Sequence, residues 1–349
     1  MTRKPPRRPV NIHQVAELAG AGIASVSRAL SGQGSSAEMT ERVLKAARKL
    51  GYTPNVLAQS LRLRATRSIG FVGSDITNPL LSAIVSGAES VLSGSGFSVL
   101  LTNSGGIPEM DAQRIELLRS RQVDGLILLP AIENDPATLA ALRAAGMPVV
   151  VIDRDLPPDL KVAYVLSDHY AGVGAAARHL LEGGHRRIGL AVGLDVRPSR
   201  ERVRAVKDQA RAFGAARGVI VDSGSLSDEH GERAMERFLA TKPPITAVIL
   251  GGNQMLEGAL RAVRRRGLKL GRDLSLVCCD DVPLGRLHEP PIATVMRDTG
   301  LLGQRAAEQL LERITGARAG EPVMLPTWFE LRGSCGPVSA PARASRKAR

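Results

Sequence analysis

Residues 10–32 read VNIHQVAELAGAGIASVSRALSG, and this stretch decides how the chain is organised. Apolar side chains recur at the spacing of one helix face, are interrupted by the glycines at 20 and 22, and then recur again. The first set is Ile12, Val15, Ala16 and Ala19, and the second is Val26, Ala29 and Leu30. Two short amphipathic helices joined by a glycine-containing turn predict a helix-turn-helix unit.

The second of these helices carries side chains of a size that suits the major groove of DNA. Ile23, Ala24 and Arg28 start and line it, and we expect them to face base edges. Ser25 and Ser27 are expected to position the helix through phosphate contacts. One such unit covers one groove segment, so a pair of chains is expected to read a pseudo-palindromic site in double-stranded DNA.

A third helix and a connector follow. An inner apolar stripe predicts a helix over residues 37–50, which ends at Gly51 and completes a headpiece over residues 10–53. Pro54 then fits the first turn of a hinge helix within a linker over residues 54–67. A helix of about two turns is marginal alone in water, so this one is expected to order only against DNA or a second copy of itself.

The charge of the chain is concentrated at its ends. Residues 1–68 hold twelve Lys/Arg and three Asp/Glu, whereas residues 69–333 hold equal numbers of the two. A basic amino-terminal part beside a neutral body predicts a polyanion-binding end. Residues 1–9 and 334–349 are expected to be a disordered basic arm and a disordered basic tail.

Composition excludes several classes of protein. Three cysteines give neither a disulfide framework nor a metal-ligand spacing, which suits a reducing compartment. No apolar run is long enough to span a membrane, and the basic start has no apolar segment after it. We therefore expect a cytoplasmic protein without a membrane segment, a metal or a cofactor.

From residue 68 the pattern alternates between apolar strand candidates and helical segments. This alternation predicts a doubly wound α/β architecture, and the number of strands favours two similar lobes within residues 68–333. Ligands of such folds bind at the carboxyl ends of the strands. The strand candidates are residues 69–73, 98–102, 125–130, 149–153, 163–166, 188–192, 247–251 and 276–279.

The order and spacing of short motifs along almost the whole chain resemble the lac repressor (LacI-type) family of transcriptional regulators. The marks in the amino-terminal part are Val15-Ala16, Ala19-Gly20, Val26-Ser27-Arg28, Leu50-Gly51-Tyr52-Thr53-Pro54-Asn55 and Ser60-Leu61. The later marks are Asn78-Pro79, Asp124-Gly125-Leu126-Ile127, Ile152-Asp153-Arg154, Ser167-Asp168-His169, Gly184-His185, Asn253, Asp280-Asp281 and Pro290-Pro291.

The resemblance implies a helix-turn-helix headpiece, a hinge helix and a core that resembles periplasmic sugar-binding proteins. It implies DNA contacts from Asn55, Ala58 and Leu61, with Leu61 wedged into the minor groove. It also implies that the chain passes repeatedly between the lobes. The first lobe would hold about 68–165 and 296–322, and the second about 166–295 and a final strand near 323–333.

The resemblance further implies a small effector bound between the lobes, where Arg202 occupies the arginine position that grips it. The expected lining is Asp75, Leu80, Arg154, Arg202, Asn253 and Asp280. The family's aromatic pair after Asn-Pro is Leu80-Leu81 here, which removes a platform for a neutral sugar. Acidic and amide acceptors facing arginines suit a small polyhydroxylated ligand. Two arginines in the cleft can hold a carboxylate or phosphate by paired hydrogen bonds, which favours a sugar acid or sugar phosphate. A neutral sugar or a purine remains the alternative.

The expected function is that of a homodimeric repressor of a carbohydrate-utilisation operon. A solute-binding protein would share the two-lobed core but would not need the headpiece. A sugar enzyme is the other alternative, yet the sequence offers no nucleophile–base arrangement, phosphate loop or metal cluster. The run of residues 172–177 loosely matches a dinucleotide loop, and glycine at a strand-to-helix turn explains it better.

Overall fold

The computed structural model describes residues 10–30, 34–52, 65–316 and 321–338. They form two compact units, one within Met1–Thr66 and one within Arg67–Arg349. The predicted basic arm and the predicted hinge helix, with Asn55, Ala58 and Leu61, lie outside the described residues.

The first unit is the predicted three-helix headpiece. Its helices are α1 (Ile12–Ala19), α2 (Ile23–Leu30) and α3 (Ala37–Leu50). At the start of α1 the Asn11 side chain accepts from the Gln14 N–H at 3.1 Å, and the Gln14 side chain accepts from the Asn11 N–H at 3.0 Å. This capping box satisfies two N–H groups that the helix itself leaves unpaired. The fully buried side chains of the shared core are Val15, Val26 and Val43.

The second unit alternates strands and helices. Residues 68–167 form β1 (Ser68–Gly73), α4 (Pro79–Gly94), β2 (Ser98–Asn103), α5 (Pro108–Ser120), β3 (Gly125–Leu128), α6 (Pro136–Arg143), β4 (Val149–Ile152) and β5 (Ala163–Ser167). Residues 169–297 form α7 (His169–Glu182), β6 (Ile188–Val192), α8 (Arg197–Ala212), β7 (Val219–Ser223), α9 (Asp228–Leu239), β8 (Ala247–Leu250), α10 (Leu256–Arg265), β9 (Ser275–Cys279), α11 (Pro283–Leu287) and β10 (Ala293–Arg297). The last elements are α12 (Thr299–Ile314), β11 (Val323–Leu325) and β12 (Thr327–Glu330).

These strands build two six-stranded sheets, one for each lobe. The first has the order β11-β5-β4-β3-β1-β2 and is parallel throughout. The second has the order β12-β10-β9-β8-β6-β7, and only β12 runs antiparallel to its neighbour. The chain therefore crosses between the lobes three times, after β5, after β10 and between β11 and β12.

The doubly wound, two-lobed architecture is confirmed, and the central strands follow the predicted apolar runs. Strands β3, β4, β6 and β8 are buried along their whole length, because helices cover both faces of a parallel sheet. The prediction of one final strand in the second lobe is wrong. The segment forms two strands, of which β11 completes the first sheet beside β5 and only β12 belongs to the second.

Packing explains the glycine at position 172, the first residue of the run that loosely matches a dinucleotide loop. Gly172 lies in the first turn of α7, where a Cβ atom would be 2.4 Å from the Thr327 hydroxyl oxygen. Its N–H donates to that oxygen at 3.0 Å. Glycine is needed here because the helix approaches the crossing between β11 and β12.

The prediction of a disordered tail from residue 334 is wrong for residues 334–338. Ser334 is fully buried, and its hydroxyl donates to the Leu276 carbonyl at 2.6 Å while accepting from the Ala293 N–H at 2.8 Å. A Cβ atom on Gly336 would lie 2.0 Å from the Gly271 carbonyl oxygen. Small residues let this segment pack closely on the second lobe, whereas the basic residues begin only at Arg343.

Ser334→Ala is expected to lower the free energy of unfolding by about 1–3 kcal/mol, because it leaves the buried Ala293 N–H without its acceptor. Urea denaturation followed by circular dichroism measures this change. Ser120→Ala is the matched control, since the exposed Ser120 hydroxyl donates to the Leu117 carbonyl at the end of α5. Equal stabilities of the two variants would contradict the assigned role of Ser334.

Candidate functional site

The outer face of α2 carries the residues predicted to meet DNA. Those predicted to face base edges are exposed, and the two serines predicted to contact phosphate are half-buried beside them. Arg28 Nη2 lies 3.5 Å from Ser25 Oγ. One face of one helix therefore presents the set, as insertion into a groove requires. The set is Ile23, Ala24, Ser25, Ser27 and Arg28.

A cavity of about 490 Å³, here called the cleft, lies between the two lobes. All six residues predicted to bind an effector line it. The first lobe supplies Asp75, Leu80 and Arg154, and the second supplies Arg202, Asn253 and Asp280. Leu80 also packs into an apolar cluster of the second lobe, and no Phe, Tyr or Trp side chain lines the cleft among the described residues.

The topology explains why residues so distant in sequence meet here. Asp75, Arg154 and Asp280 each follow within two residues of the end of a parallel strand, namely β1, β4 and β9. The carboxyl ends of parallel strands lie along one edge of a sheet, and both lobes direct this edge towards the cleft. Arg202 comes from the second turn of α8 instead.

Amide side chains bridge the cleft from one lobe to the other. Gln254 Nε2 donates to Asp75 Oδ2 at 2.8 Å, and Asn253 Nδ2 donates to Asn78 Oδ1 at 3.1 Å. Asp75 and Asn253 were predicted to face a ligand, and here each is paired with a residue of the opposite lobe. Direct bonds of this kind close the cleft along these residues.

An arginine with 14% of its side chain exposed joins two buried aspartates across the cleft. Arg297, at the end of β10, contacts Asp280 of its own lobe with Nε at 2.6 Å and contacts Asp153 of the first lobe with Nη1. Burial opposes the charge of this guanidinium, but the two carboxylates raise the pKa of Arg297 above its ordinary value. Both aspartates adopt left-handed backbone, with φ of 50° at Asp153 and 70° at Asp280. Aspartate is one of the few types that tolerate this conformation.

His169 extends this network to Arg202. Its Nδ1 lies 3.3 Å from Arg202 Nη2, and its Nε2 lies 3.4 Å from Asp153 Oδ2. Burial lowers the pKa of His169 to about 4, so the ring is neutral at pH 7 and Nδ1 can accept from the guanidinium. Burial alone would raise the pKa of Asp153, but His169 and Arg297 hold it below its ordinary value.

Arg202 is the most deeply buried cation of the predicted set, with 4% of its surface exposed. Its Nη1 donates to the Gly251 carbonyl, and its Nε has no hydrogen-bond partner among the residues that the structure describes. The two groups that accept hydrogen bonds from Arg202, the Gly251 carbonyl and the neutral His169 ring, carry no charge. The Arg154 Nε is likewise without a partner in the described part of the chain, and burial lowers the pKa of Arg154.

The predicted set omitted Arg297, His169, Asp153, Gln254 and Asn78, which the structure brings to the same cleft. Arg297 was missed because β10 is not a continuous apolar run, so no strand end was predicted there. Asp153 and His169 belong to the motifs at 152–154 and 167–169 that carry the resemblance, but neither was included in the predicted lining of the cleft. Asp280 and Asp281 point apart, as expected of neighbours at a strand end, since Asp281 pairs with Arg286 at 2.6 Å.

The described part of the chain contains no group of three His, Cys, Asp or Glu side chains placed to hold a metal ion. Among its helices, none combines the length and the apolar character that a membrane crossing requires.

Comparison with known proteins identifies both units. A family model for bacterial regulatory proteins of the lacI family matches residues 11–55, and a periplasmic binding protein-like domain matches residues 177–335. The HTH-type transcriptional regulator CelR of Thermobifida fusca is 34% identical over 330 residues, which cover 91% of this chain and 96% of that protein. The chain belongs to the LacI family.

This LacI-family protein also resembles the repressor CytR of Escherichia coli (strain K12), with 29% identity over 92% of this chain and 94% of CytR. The structure of the lac repressor dimer bound to operator and an anti-inducer superposes with a TM-score of 0.83 at 27% identity, covering 94% and 99% of the two chains. A CelR–cellobiose complex gives 0.69 at 30% identity, covering 94% and 100%. The chain is thus a DNA-binding transcriptional regulator, and its relatives are regulators rather than enzymes.

Proposed function

We propose that this LacI-family protein is a cytoplasmic, homodimeric repressor of a carbohydrate-utilisation operon, controlled by a small polyhydroxylated anion that binds in the cleft. A sugar acid and a sugar phosphate share the chemistry required. Asp75, Leu80, Arg154, Arg202, Asn253 and Asp280 would contact it.

The state of Arg202 carries the anionic part of the proposal. This guanidinium is almost fully buried and is hydrogen-bonded to neutral groups, and no carboxylate of the described residues pairs with it. An unpaired charge is costly in a protein interior. A carboxylate or phosphate group of the ligand would supply the counter-charge and accept from the Arg202 Nε. The other arginine joined to this network, Arg297, is already neutralised by two aspartates.

The remaining lining supports a hydroxylated body for the ligand. The side chains that bridge the cleft through Gln254–Asp75 and Asn253–Asn78 can each exchange their partner for a ligand hydroxyl. The apolar part of the lining is aliphatic, including Leu80, Leu129 and Leu194. A planar base or the apolar face of a neutral sugar would find no Phe, Tyr or Trp ring to stack on among the described residues.

A neutral oligosaccharide is the second candidate. It is favoured by the CelR–cellobiose complex, whose protein shares 30% of its residues with this chain. A purine is a more distant candidate, since a PurR repressor of Pectobacterium carotovorum is 31% identical over 327 residues.

Titration calorimetry on matched ligands separates the candidates. The set is an aldose, its aldonic acid and its 6-phosphate, with cellobiose and hypoxanthine beside them. The proposal expects binding of the acid or the phosphate at least about tenfold tighter than that of the aldose, since one charge-assisted hydrogen bond adds roughly 1.5–3 kcal/mol. Tight binding of cellobiose or hypoxanthine, with none of either anion, would overturn the anionic proposal.

Coupling to DNA would run through the dimer. The lac repressor structure is described as a dimer bound to operator, and a pair of headpieces here would read two half-sites. Ligand-dependent closure of the lobes by a few degrees would change how the two hinge segments pair. The tail after residue 333 has no heptad pattern, so a tetramer-forming coiled coil is not expected. Light scattering that shows a stable tetramer would count against this assembly.

Arg28→Ala is expected to weaken binding to the specific site by about 5- to 150-fold, which corresponds to the roughly 1–3 kcal/mol of one good base contact. Binding to random DNA should change much less. Fluorescence anisotropy with DNA from upstream of the protein's own gene, against a scrambled duplex, measures both. Arg48→Ala on α3 is the control, because it removes an exposed cation of the same unit from another helix. An equal loss on both DNAs would assign Arg28 to the phosphate backbone.

A further inference from the structure

Glu133 lies in the loop between β3 and α6 of the first lobe, and only 9% of its side chain is exposed. Its carboxylate joins three groups. Oε1 accepts from the backbone N–H of Asp155 at 3.0 Å and from the backbone N–H of Arg197 at 2.7 Å. Oε2 lies 2.7 Å from Nη2 of Arg200. Asp155 belongs to the first lobe, whereas Arg197 and Arg200 begin α8 of the second lobe.

The two backbone partners belong to the segments that carry the two arginines predicted to bind the effector. Asp155 follows Arg154 directly, and Arg197 opens the helix that carries Arg202 five residues later. The residue that precedes this helix, Val196, offers no capping side chain. A carboxylate of the first lobe therefore caps a helix of the second lobe, where an acidic group also complements the helix dipole.

We propose that Glu133 is the positioning residue that holds the lobes together at this end of the cleft and sets Arg154 and Arg202 in their mutual arrangement. Opening the cleft would separate Glu133 from α8 and remove the acceptor of the Arg197 N–H at the start of that helix. The closed state is thereby favoured by a contact that involves no ligand. The inference rests on the proposed function only in taking the closed state as the one that binds effector.

The neighbouring ion pairs join the two lobes more weakly than Glu133 does. Arg200 also approaches Asp155 at 3.1 Å and Asp195 at 3.5 Å, and Arg197 approaches Asp155 at 3.4 Å. The side chains of Asp155 and Asp195 are 50% and 85% exposed, so water and salt weaken these pairs. The buried carboxylate with two backbone bonds is the contact that solvent screens least.

Hydrogen–deuterium exchange on the full chain without effector tests the inference. Glu133→Ala should accelerate exchange at the Arg197 amide by about fivefold or more through loss of the cap. It should also accelerate exchange at residues 74–78 and 252–255, which hold the Gln254–Asp75 and Asn253–Asn78 bridges and do not touch Glu133 through any described hydrogen bond. A purely local cap would leave these two segments unchanged.

Three further variants keep the outcome clear. Glu133→Gln keeps the shape and one acceptor oxygen, so its effect should be smaller in the same segments. Arg200→Gln removes a partner from the second lobe and should act in the same direction if Glu133→Ala folds poorly. Asp195→Asn removes an exposed partner of Arg200 and should change nothing. Unchanged exchange at 74–78 and 252–255 in both Glu133→Ala and Arg200→Gln would overturn the inference and leave the DNA-binding and effector tests unaffected.

Discussion

Arg202→Ala is expected to weaken binding of the anionic effector by at least about 30-fold, because removing one partner of a buried charge pair costs roughly 2–5 kcal/mol. The anion would lose both the guanidinium and the Nε donor, which has no hydrogen-bond partner among the described residues. Calorimetry with the aldonic acid or the 6-phosphate measures the loss. Operator binding without effector should persist, because Arg202 lies in the core and not in the headpiece.

Two further variants make this result specific. Arg204→Ala removes a cation from the same helix, where it lies over the ring of Tyr170 outside the cleft, and should leave affinity unchanged. Arg202→Lys keeps the charge but loses the planar pair of donors, so it should recover only part of the affinity. Unaltered binding of a neutral sugar by the Arg202→Ala variant would contradict both the anionic preference and the assigned role of this residue.

Arg297→Met is expected to lower the free energy of unfolding by about 3–5 kcal/mol, because it leaves two buried carboxylates without the cation that they share. Asp153 and Asp280 are buried, and His169 is neutral at pH 7. Among the described residues, no cation other than Arg297 forms an ion pair with Asp280. Urea denaturation at pH 7 measures the change. The variant should also open the cleft, since Arg297 joins the two lobes.

Arg305→Met on α12 is the control, because Arg305 is exposed and pairs with Glu308 on the helix surface. Its effect should stay within about 0.5 kcal/mol. Arg297→Met combined with Asp153→Asn and Asp280→Asn removes all three charges and should recover most of the lost stability. An Arg297→Met protein as stable as the parent would show that the aspartates do not depend on this arginine.

The sequence was most informative where one local rule decides the structure. The 3.6-residue periodicity of α1 and α2, with glycine between them, specified the headpiece. Apolar runs specified the central strands, because both faces of those strands are covered. Strand β7 was not predicted because it lies at a sheet edge and is only half-buried, and β11 was placed in the wrong lobe because a three-residue strand carries almost no pattern.

Some features of the cleft could likewise be predicted from the sequence, and others could not. Asp75, Arg154 and Asp280 could be placed because residues after parallel strands converge at one edge. The pairing of Asp153 with Arg297, the bridging of Asp75 by Gln254 and the capping of α8 by Glu133 each join residues that are at least 64 positions apart. No local spacing encodes such contacts, since they depend on how far the lobes close.

The three crossings between the lobes constrain how this protein can be recombined with its relatives. A headpiece can be exchanged at a single junction near residue 66, where the chain passes once from one unit to the other. Neither lobe is a continuous stretch of chain, so transplanting a lobe needs three matched junctions, near residues 168, 298 and 326. Two of these, Asp168 and Asp298, also cap the helices that follow them. New operator specificities should therefore be far easier to graft onto this chain than new ligand specificities.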